Sequence, residues 1–597
     1  MRQQLTALRE IMKEKSVTAW LSPCSDEHGS EYIGAHDECT KFLSGFTGDS
    51  CTVLVMPENA YLWTDGRYFV QASAELQGSG VDLMKIGEPG VPALADFLAE
   101  HLKKGDTLAF SARLFGASFG QSLIARMEKN GVSVRTDEDL IAPVWKDRPA
   151  RSMSRVWIHE QAFAGASVQD KLAAVRAKMK EEDCGIYLTS ALDETAWLTN
   201  LRASDIECNP VFLSYLMISE KDCRLFVQDG ALDDSVRKYC AENGLTLCAY
   251  DSWMEEVRKL KDCRILMDLT ASDYETWQNA KNENQIVDVL SPISYLKCIK
   301  NPTEIGHMKK SHLRDGAYVT KFMYWLKKEI AAAEKEGRTL TEVDASDHLD
   351  ALRAADKNYV SLSFPTISAY ESNAAMCHYM AQKETAAQMH AKGLYLVDSG
   401  AQYLDGTTDI TRTFALGGTT AAEKRDFTLT VIGMLRLLHA VFPKGIRGIN
   451  LDTFAREAMW QYGVDFNHGT GHGVGFLNNV HEMPVSVRVR PSADTKRDIP
   501  FEPGMVTSDE PGVYINGEYG IRTENMILCR EDPDHTGFLG FETLTFAPID
   551  PEVLDVSLMN AKDIEWLNEY QKDVREKISP YLDEDEKMWL AKITETL

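Results

Sequence analysis

The sequence predicts two related α/β domains followed by an α+β domain, and three observations carry that prediction. At 597 residues the chain is several times larger than one hydrophobic core supports, which calls for two to four domains. Residues 5–14, LTALREIMKE, align without gaps to residues 172–181, LAAVRAKMKE, and each copy leads into a β-rich run, so a helix-then-strands unit occurs twice. Acid-bearing strand–turn–strand patterns are confined to the region beyond residue 300, which sets that region apart in kind.

In chain order, the first copy opens with an amphipathic charged helix and continues through AWLSP (19–23) and CTVLVM (51–56). The Pro- and Arg-rich stretch APVWKDRPARSMS (142–154) reads as a linker. The second copy repeats the order with IYLTS (186–190) and VFLSYLMI (211–218). A boundary near Lys300 to Pro302 precedes a long amphipathic helix over 303–336, with Met308, Val319, Phe322 and Trp325 on its apolar face. The expected domains are therefore 1–155, 156–301 and 302–597, the last ending in a charged helical extension from Ala561 onward.

Composition narrows the function. Hydrophobic residues make up 44% and charged residues 26% of the chain, values of an ordinary globular protein. A formal charge of −26 excludes nucleic acid as the expected partner, because affinity for phosphates is built from Lys and Arg. No run of about 18 apolar residues is present to cross a membrane, and the charged start lacks the apolar stretch of a signal peptide. Twelve cysteines are scattered with no CxxC pair, as in a reducing compartment. The expectation is a cytoplasmic protein.

The unusual chemistry lies in three segments. GLYLVDSGAQYLDGTTDITRTFAL reads as a β-hairpin with Asp398 and Asp409 on its two arms. An aspartate after Leu-Tyr-Leu-Val is costly to bury unless paired or coordinated, and two on adjacent strands suggest a shared cation. VDFNHGTGHGVGFLNNVHE gathers His468, His472 and His481, out of only fourteen histidines, among glycines that let the backbone turn tightly. TSDEPGVYINGEYGIRTEN places Glu510 and Glu524 on the arms of a second hairpin-like element. Taken singly, each acid is more often a turn residue or an ion-pair partner than a ligand; their joint occurrence makes the case. Four carboxylates and an imidazole match two divalent cations, Mn before Zn or Co. Two such ions about 3.5–4 Å apart acidify water and polarise a carbonyl, the requirements of amide hydrolysis.

These segments, together with WTDGRYFVQA (63–72), resemble the motifs of the pita-bread metallopeptidases, and specifically of three-domain Xaa-Pro aminopeptidases, over nearly the whole chain. The resemblance implies two creatinase-like α/β domains before a pita-bread catalytic domain, and removal of the N-terminal residue from peptides with proline second. It implies that Asp398, Asp409 and Glu524 hold one metal and Asp409, His472, Glu510 and Glu524 the other, with Glu510 steering the attacking water. By the same resemblance His378 in AAMCHYMAQ shapes the substrate site, His481 bonds the scissile carbonyl, His468 lines the proline pocket and Arg67 reaches toward the substrate, which His472 also borders. Arg522, two residues before Glu524, is expected to orient a ligand. A homodimer is implied by the family alone. The chain departs from the family's pattern at Met380-Ala381, where a proline is usual after the His-Tyr pair, and at Phe476, where a small residue is usual. A proline dipeptidase and a metal-free peptide-binding module are the competing readings.

Overall fold

The computed structural model describes residues 2–597, and the chain divides into two compact units. One runs up to Ile158 and resumes over Ser167–Ile293; the other joins His159–Ala166 to Ser294–Leu597.

The first unit contains the repeat. Helices α1 (Gln3–Glu14) and α2 (Val168–Glu181) bury the same spacing of side chains, Leu5, Leu8 and Met12 in one and Leu172, Val175 and Met179 in the other, as an amphipathic helix against a sheet must. The first sheet comprises β1 (Ala19–Pro23), β2 (Cys51–Val55), β3 (Ala60–Thr64), β4 (Asp82–Lys85), β5 (Thr107–Phe110) and β6 (Ser133–Arg135). The second comprises β7 (Ile186–Thr189), β8 (Ser214–Ser219), β9 (Cys223–Val227), β10 (Leu245–Ala249), β11 (Arg264–Met267) and β12 (Gln285–Asp288). Their orders are β4-β3-β2-β1-β5-β6 and β10-β9-β8-β7-β11-β12. These are one topology written twice, which bears out the two related α/β domains. In each, the first strand runs antiparallel to the second and parallel to the fifth. All five residues of β1 are buried, because a central strand in a layered α/β domain has no wet face.

The second unit opens on α3 (Pro302–Glu336), close to the expected 303–336: Asn301 and Glu304 form a capping box, Pro302 sits at the first helical position, and Gly337 ends the helix at φ +68. Its sheets are antiparallel. Strand β13 (Leu394–Ser399) lies between β14 (Ile410–Ala415) and Ile367–Tyr370 and pairs with both. β15 (Gly471–Gly473) and β16 (Val506–Asp509) lie side by side in a six-stranded sheet. β17 (Gly512–Ile515) and β18 (Tyr519–Arg522) form a separate hairpin, and β19 (Asn525–Glu531) rejoins the larger sheet beside β16. The charged tail is helical as expected, in Ala561–Ile578 and Glu584–Ile593.

Residues 394–415 form the expected hairpin in one register, with Ser399 opposite Ile410 and Gln402 opposite Thr407; beyond Gly400 its outer half, Ala401–Tyr403 and Gly406–Thr407, joins Tyr359–Leu362 in a small three-stranded sheet. A Cβ at Gly400 would stand 1.9 Å from the Thr408 carbonyl oxygen and 2.4 Å from Ser363 Oγ. The missing side chain lets the two segments close on each other.

Candidate metal centre

Strand register builds the first half of the site. Asp398 lies directly opposite Thr411, so their side chains share a face, and Asp409, two residues before Thr411, falls on that face as well. The second half comes from the β17–β18 hairpin. Gly512 pairs with Arg522, so Glu510 and Glu524, each two residues further out, flank its open end. The Glu524 amide donates to the Thr411 carbonyl at 3.1 Å and the Thr411 hydroxyl donates to Glu524 Oε2 at 2.7 Å, tying the two halves together.

His472 arrives on β15. Its Nε2 stands 3.5 Å from Asp409 Oδ2 and 3.5 Å from Glu510 Oε1. Nδ1 is 2.9 Å from the Gly473 carbonyl, which can only accept, so Nδ1 donates there and Nε2 is the nitrogen that faces the two carboxylates. Asp409, His472 and Glu524 each offer an atom within 4.8 Å of the others. An imidazole nitrogen and carboxylates converging in this way make a donor set for a cation.

Electrostatics repeat the point. Four carboxylates cluster here, and Arg522 donates to one of them, Asp398 Oδ2, at 2.5 Å. Asp398 Oδ1 and Asp409 Oδ1 are buried without a hydrogen-bond partner. Burial, above all, pushes Glu510 up to about 7 and Glu524 well above the usual carboxylate range, with neighbouring acids adding to the shift. Asp398 is raised by burial against the pull of Arg522. Acids destabilised in this way become normal ligands once divalent cations are supplied. The donor set, oxygen-rich with one imidazole, fits two such ions.

Around the acids runs a hydrogen-bond chain of one direction. Arg522 donates to the Tyr514 hydroxyl at 2.7 Å; that hydroxyl stands 2.8 Å from His468 Nε2; His468 Nδ1 donates to the Gly469 carbonyl at 2.7 Å. His468 is thereby fixed in one tautomer and linked to the partner of Asp398. His481 meets the His472 ring edge-on at 4.3 Å between centroids. His378 sits half-buried in the turn whose preceding residue, Cys377, offers its carbonyl to Arg522 at 3.4 Å. Arg522 thus orients Asp398, on a strand of another sheet, rather than its neighbour Glu524. Arg67 lies in the other unit, held in a bidentate pair by Asp65 at 2.9 and 2.8 Å. Phe476 is a core residue, 3% exposed and packed with Met308, Val474 and Val506, so its size is taken up in the interior.

Sequence reasoning missed Thr411, Tyr514 and Ser508, which donates to Glu510 Oε1 at 3.2 Å. Thr411 follows Asp409 by two and Ser508 precedes Glu510 by two, but a hydroxyl at that spacing is too ordinary to stand out in a sequence, and Tyr514 left no signal. Asp509 was missed too. It is wholly buried with neither oxygen partnered, and burial followed by the charge of Glu510 drives it well above the usual range.

Comparison with known proteins accounts for the whole chain. Residues 4–140 and 147–304 each match a creatinase/prolidase N-terminal domain, residues 306–531 match metallopeptidase family M24, and residues 537–597 match the C-terminal region of that peptidase. A probable Xaa-Pro aminopeptidase P of Paracoccidioides brasiliensis (strain Pb03) is 39% identical over 617 residues, covering 100% of this chain and 99% of the relative. One from Aspergillus flavus is 38% identical, covering 100% and 92%. Among solved structures, an X-prolyl aminopeptidase from Caenorhabditis elegans, a cytosolic enzyme with a di-nuclear active site, superimposes with a TM-score of 0.94 at 32% identity, covering 100% of this chain and 99% of that one. A Xaa-Pro dipeptidase from Bacillus anthracis shares the fold of 64% of the chain, with a TM-score of 0.51 at 20% identity, and 99% of its own chain is covered. Full-length similarity to these relatives, with every expected acid and His472 at one locus, places the chain in metallopeptidase family M24, with two creatinase/prolidase-type domains ahead of a pita-bread catalytic domain.

Proposed function

We infer that the chain is a metallo-aminopeptidase that releases the N-terminal residue from peptides whose second residue is proline. The observation that carries this reading is full-length similarity to Xaa-Pro aminopeptidases, and the acid cluster around His472 supplies the chemistry it needs. Asp398, Asp409, His472, Glu510 and Glu524 are the residues that would hold two divalent cations, with Asp409 and Glu524 shared and Mn the expected metal. When bound, the ions supply charge compensation, Lewis acidity and acidification of water.

The chain's own groups do the rest. Glu510 receives a proton from the attacking water at the oxygen that Ser508 does not hold. His481 and His378 present ring N–H groups to the scissile carbonyl, where negative charge develops. His468, its tautomer fixed through Tyr514, borders the proline ring. An X-Pro amide has no N–H and a fixed φ, so recognition falls on such a shaped wall and not on a backbone hydrogen bond. Arg67 is assigned to the substrate side, and the domain limits 1–155, 156–301 and 302–597 are proposed with it. Among the described residues no helix is long and apolar enough to cross a membrane; a cytoplasmic homodimer is the form proposed.

Replacing Asp409 by Ala removes a shared ligand. The expected outcome is loss of bound metal by elemental analysis together with loss of hydrolysis. Full metal content and full activity in that variant would sink the assignment.

A further inference from the structure

The acid cluster has a rear face, and one arginine gathers it. Successive residues of a strand point to opposite sides. In β14, Thr411 turns toward Asp398, so Arg412 turns away from the acids; at the start of β19, Asn525 turns away likewise, next to Glu524. Arg412 is 1% exposed, and a guanidinium is costly to bury unless it is hydrogen-bonded. Its Nη1 donates to two main-chain carbonyls, that of Thr411 at 2.8 Å and that of Glu524 at 2.6 Å. Its Nη2 donates to the Tyr570 hydroxyl at 2.7 Å and to Asn525 Oδ1 at 2.8 Å, with the Ala547 carbonyl at 2.9 Å beside them.

The first pair of bonds bears on the metal ligands. Thr411 belongs to the half of the site built by β13 and β14, and Glu524 to the half that flanks the second hairpin, so Nη1 joins one carbonyl from each half. In front, the Thr411 hydroxyl holds the Glu524 carboxylate; behind, Arg412 holds both main chains. A planar guanidinium presents its donors in a fixed fork and so fixes that spacing, which a single ammonium on a flexible stem does not.

The second set of bonds leads into the C-terminal extension. Tyr570 lies on the helix Ala561–Ile578, in the charged tail that carries none of the metal-site segments. Its ring is buried with Leu567 and Val574 of the same helix. Its hydroxyl accepts from Arg412 and donates to the Ala547 carbonyl at 2.9 Å, which holds the guanidinium from its far side. The next residue, Gln571, is bonded to Ile549 instead: Nε2 donates to the Ile549 carbonyl at 2.7 Å, and Oε1 accepts from the Ile549 amide at 3.2 Å. Gln571 fastens the helix to the domain, whereas Tyr570 fastens it to the arginine behind the acids.

We propose that Tyr570 is a positioning residue of the metal centre, acting through Arg412. By holding the guanidinium behind Thr411 and Glu524, the tail helix sets the spacing of the two carboxylate-bearing halves and with it the affinity for divalent cations. This role rests on the metal centre assigned above, and it makes the C-terminal extension a part of that centre's framework.

The test is manganese titration of full-length, metal-free protein in competition with a fluorescent chelator, using wild type, Tyr570→Phe, Arg412→Lys and Gln571→Ala. Tyr570→Phe removes one hydroxyl and keeps the buried ring, and thermal transitions of the metal-free proteins check each fold. Manganese binding about threefold to tenfold weaker in Tyr570→Phe, the contribution of one hydrogen bond, is the result expected. Arg412→Lys should lose about tenfold or more; should that variant fail to fold, Tyr570→Phe still decides. Gln571→Ala should keep wild-type affinity even where its thermal transition falls. The visible absorption of cobalt-loaded protein, which follows ligand geometry, should change in Tyr570→Phe and stay unchanged in Gln571→Ala. Wild-type affinity in Tyr570→Phe, or an equal loss in Gln571→Ala, would overturn the proposal, the latter by showing that any loosening of the helix has the same effect. Absence of saturable manganese binding by the wild-type chain would contradict the metal centre itself, and the proposal with it.

Discussion

Thr411 shows how much of the centre depends on residues that touch no metal. Its hydroxyl donates to Glu524 at 2.7 Å and receives the Arg522 Nε–H at 3.1 Å, so it stands between the arginine of one acid and the carboxylate of another. Thr411→Val keeps the shape and removes both bonds; changes of this kind typically cost about 10–100-fold in metal affinity or activity. Metal titration of the variant should show that loss with the fold intact, and wild-type affinity would contradict the role. The acids themselves were legible because a carboxylate ending an apolar strand needs an explanation. Threonine in a strand or tyrosine in a hairpin needs none, so Thr411 and Tyr514 became visible only in space. Elsewhere, Asp273 carries a second residue-scale prediction. It caps a helix through Oδ1, which accepts from the Thr276 amide at 2.8 Å, while Oδ2 is buried and unpartnered, and burial pushes the carboxyl up to about 7. The unfolded chain ionises near pH ~3.9, so between about pH 4 and 7 the unfolded state sheds a proton that the folded state keeps. Stability therefore falls as pH rises through that window, by at most about 1.4 kcal/mol per unit, and levels off above it. Asp273→Asn lacks this term, so its urea midpoint should gain on wild type between pH 5 and pH 7; a constant gap would refute it.

At the scale of elements, legibility followed how local the cause was. The ends of α3 could be placed from Asn301, Pro302, Glu304 and Gly337 because caps are written within a few residues. The need for glycine at position 400 could not, because it depends on the approach of the Thr408 carbonyl across the hairpin. Gly400→Ala should force the two arms apart, at a cost of about 1–3 kcal/mol for the overpacking, and should lower metal affinity because Asp398 and Asp409 sit on those arms. Chemical denaturation with metal titration checks both effects; unchanged stability would mean that the contact is softer than its geometry.

For the whole molecule, the repeat was visible in ten aligned residues because two helices bury the same face. The strand order was not, since it is decided by which edges pair after the chain has turned. Residues 159–166 belong to the catalytic unit, though nothing in their composition separates them from the repeat that follows. The His159 ring stacks on Phe163 at 5.8 Å and lies 5.9 Å from Phe476, which accounts for the attachment. The central claim concerns the molecule as an enzyme, and product analysis tests it most directly: metal-loaded full-length protein is incubated with X-Pro-Y, X-Pro and X-Ala-Y peptides and the products are identified. Release of X from X-Pro-Y with X-Ala-Y left intact is the predicted result; cleavage of X-Pro alone, or of none of the three, would contradict it.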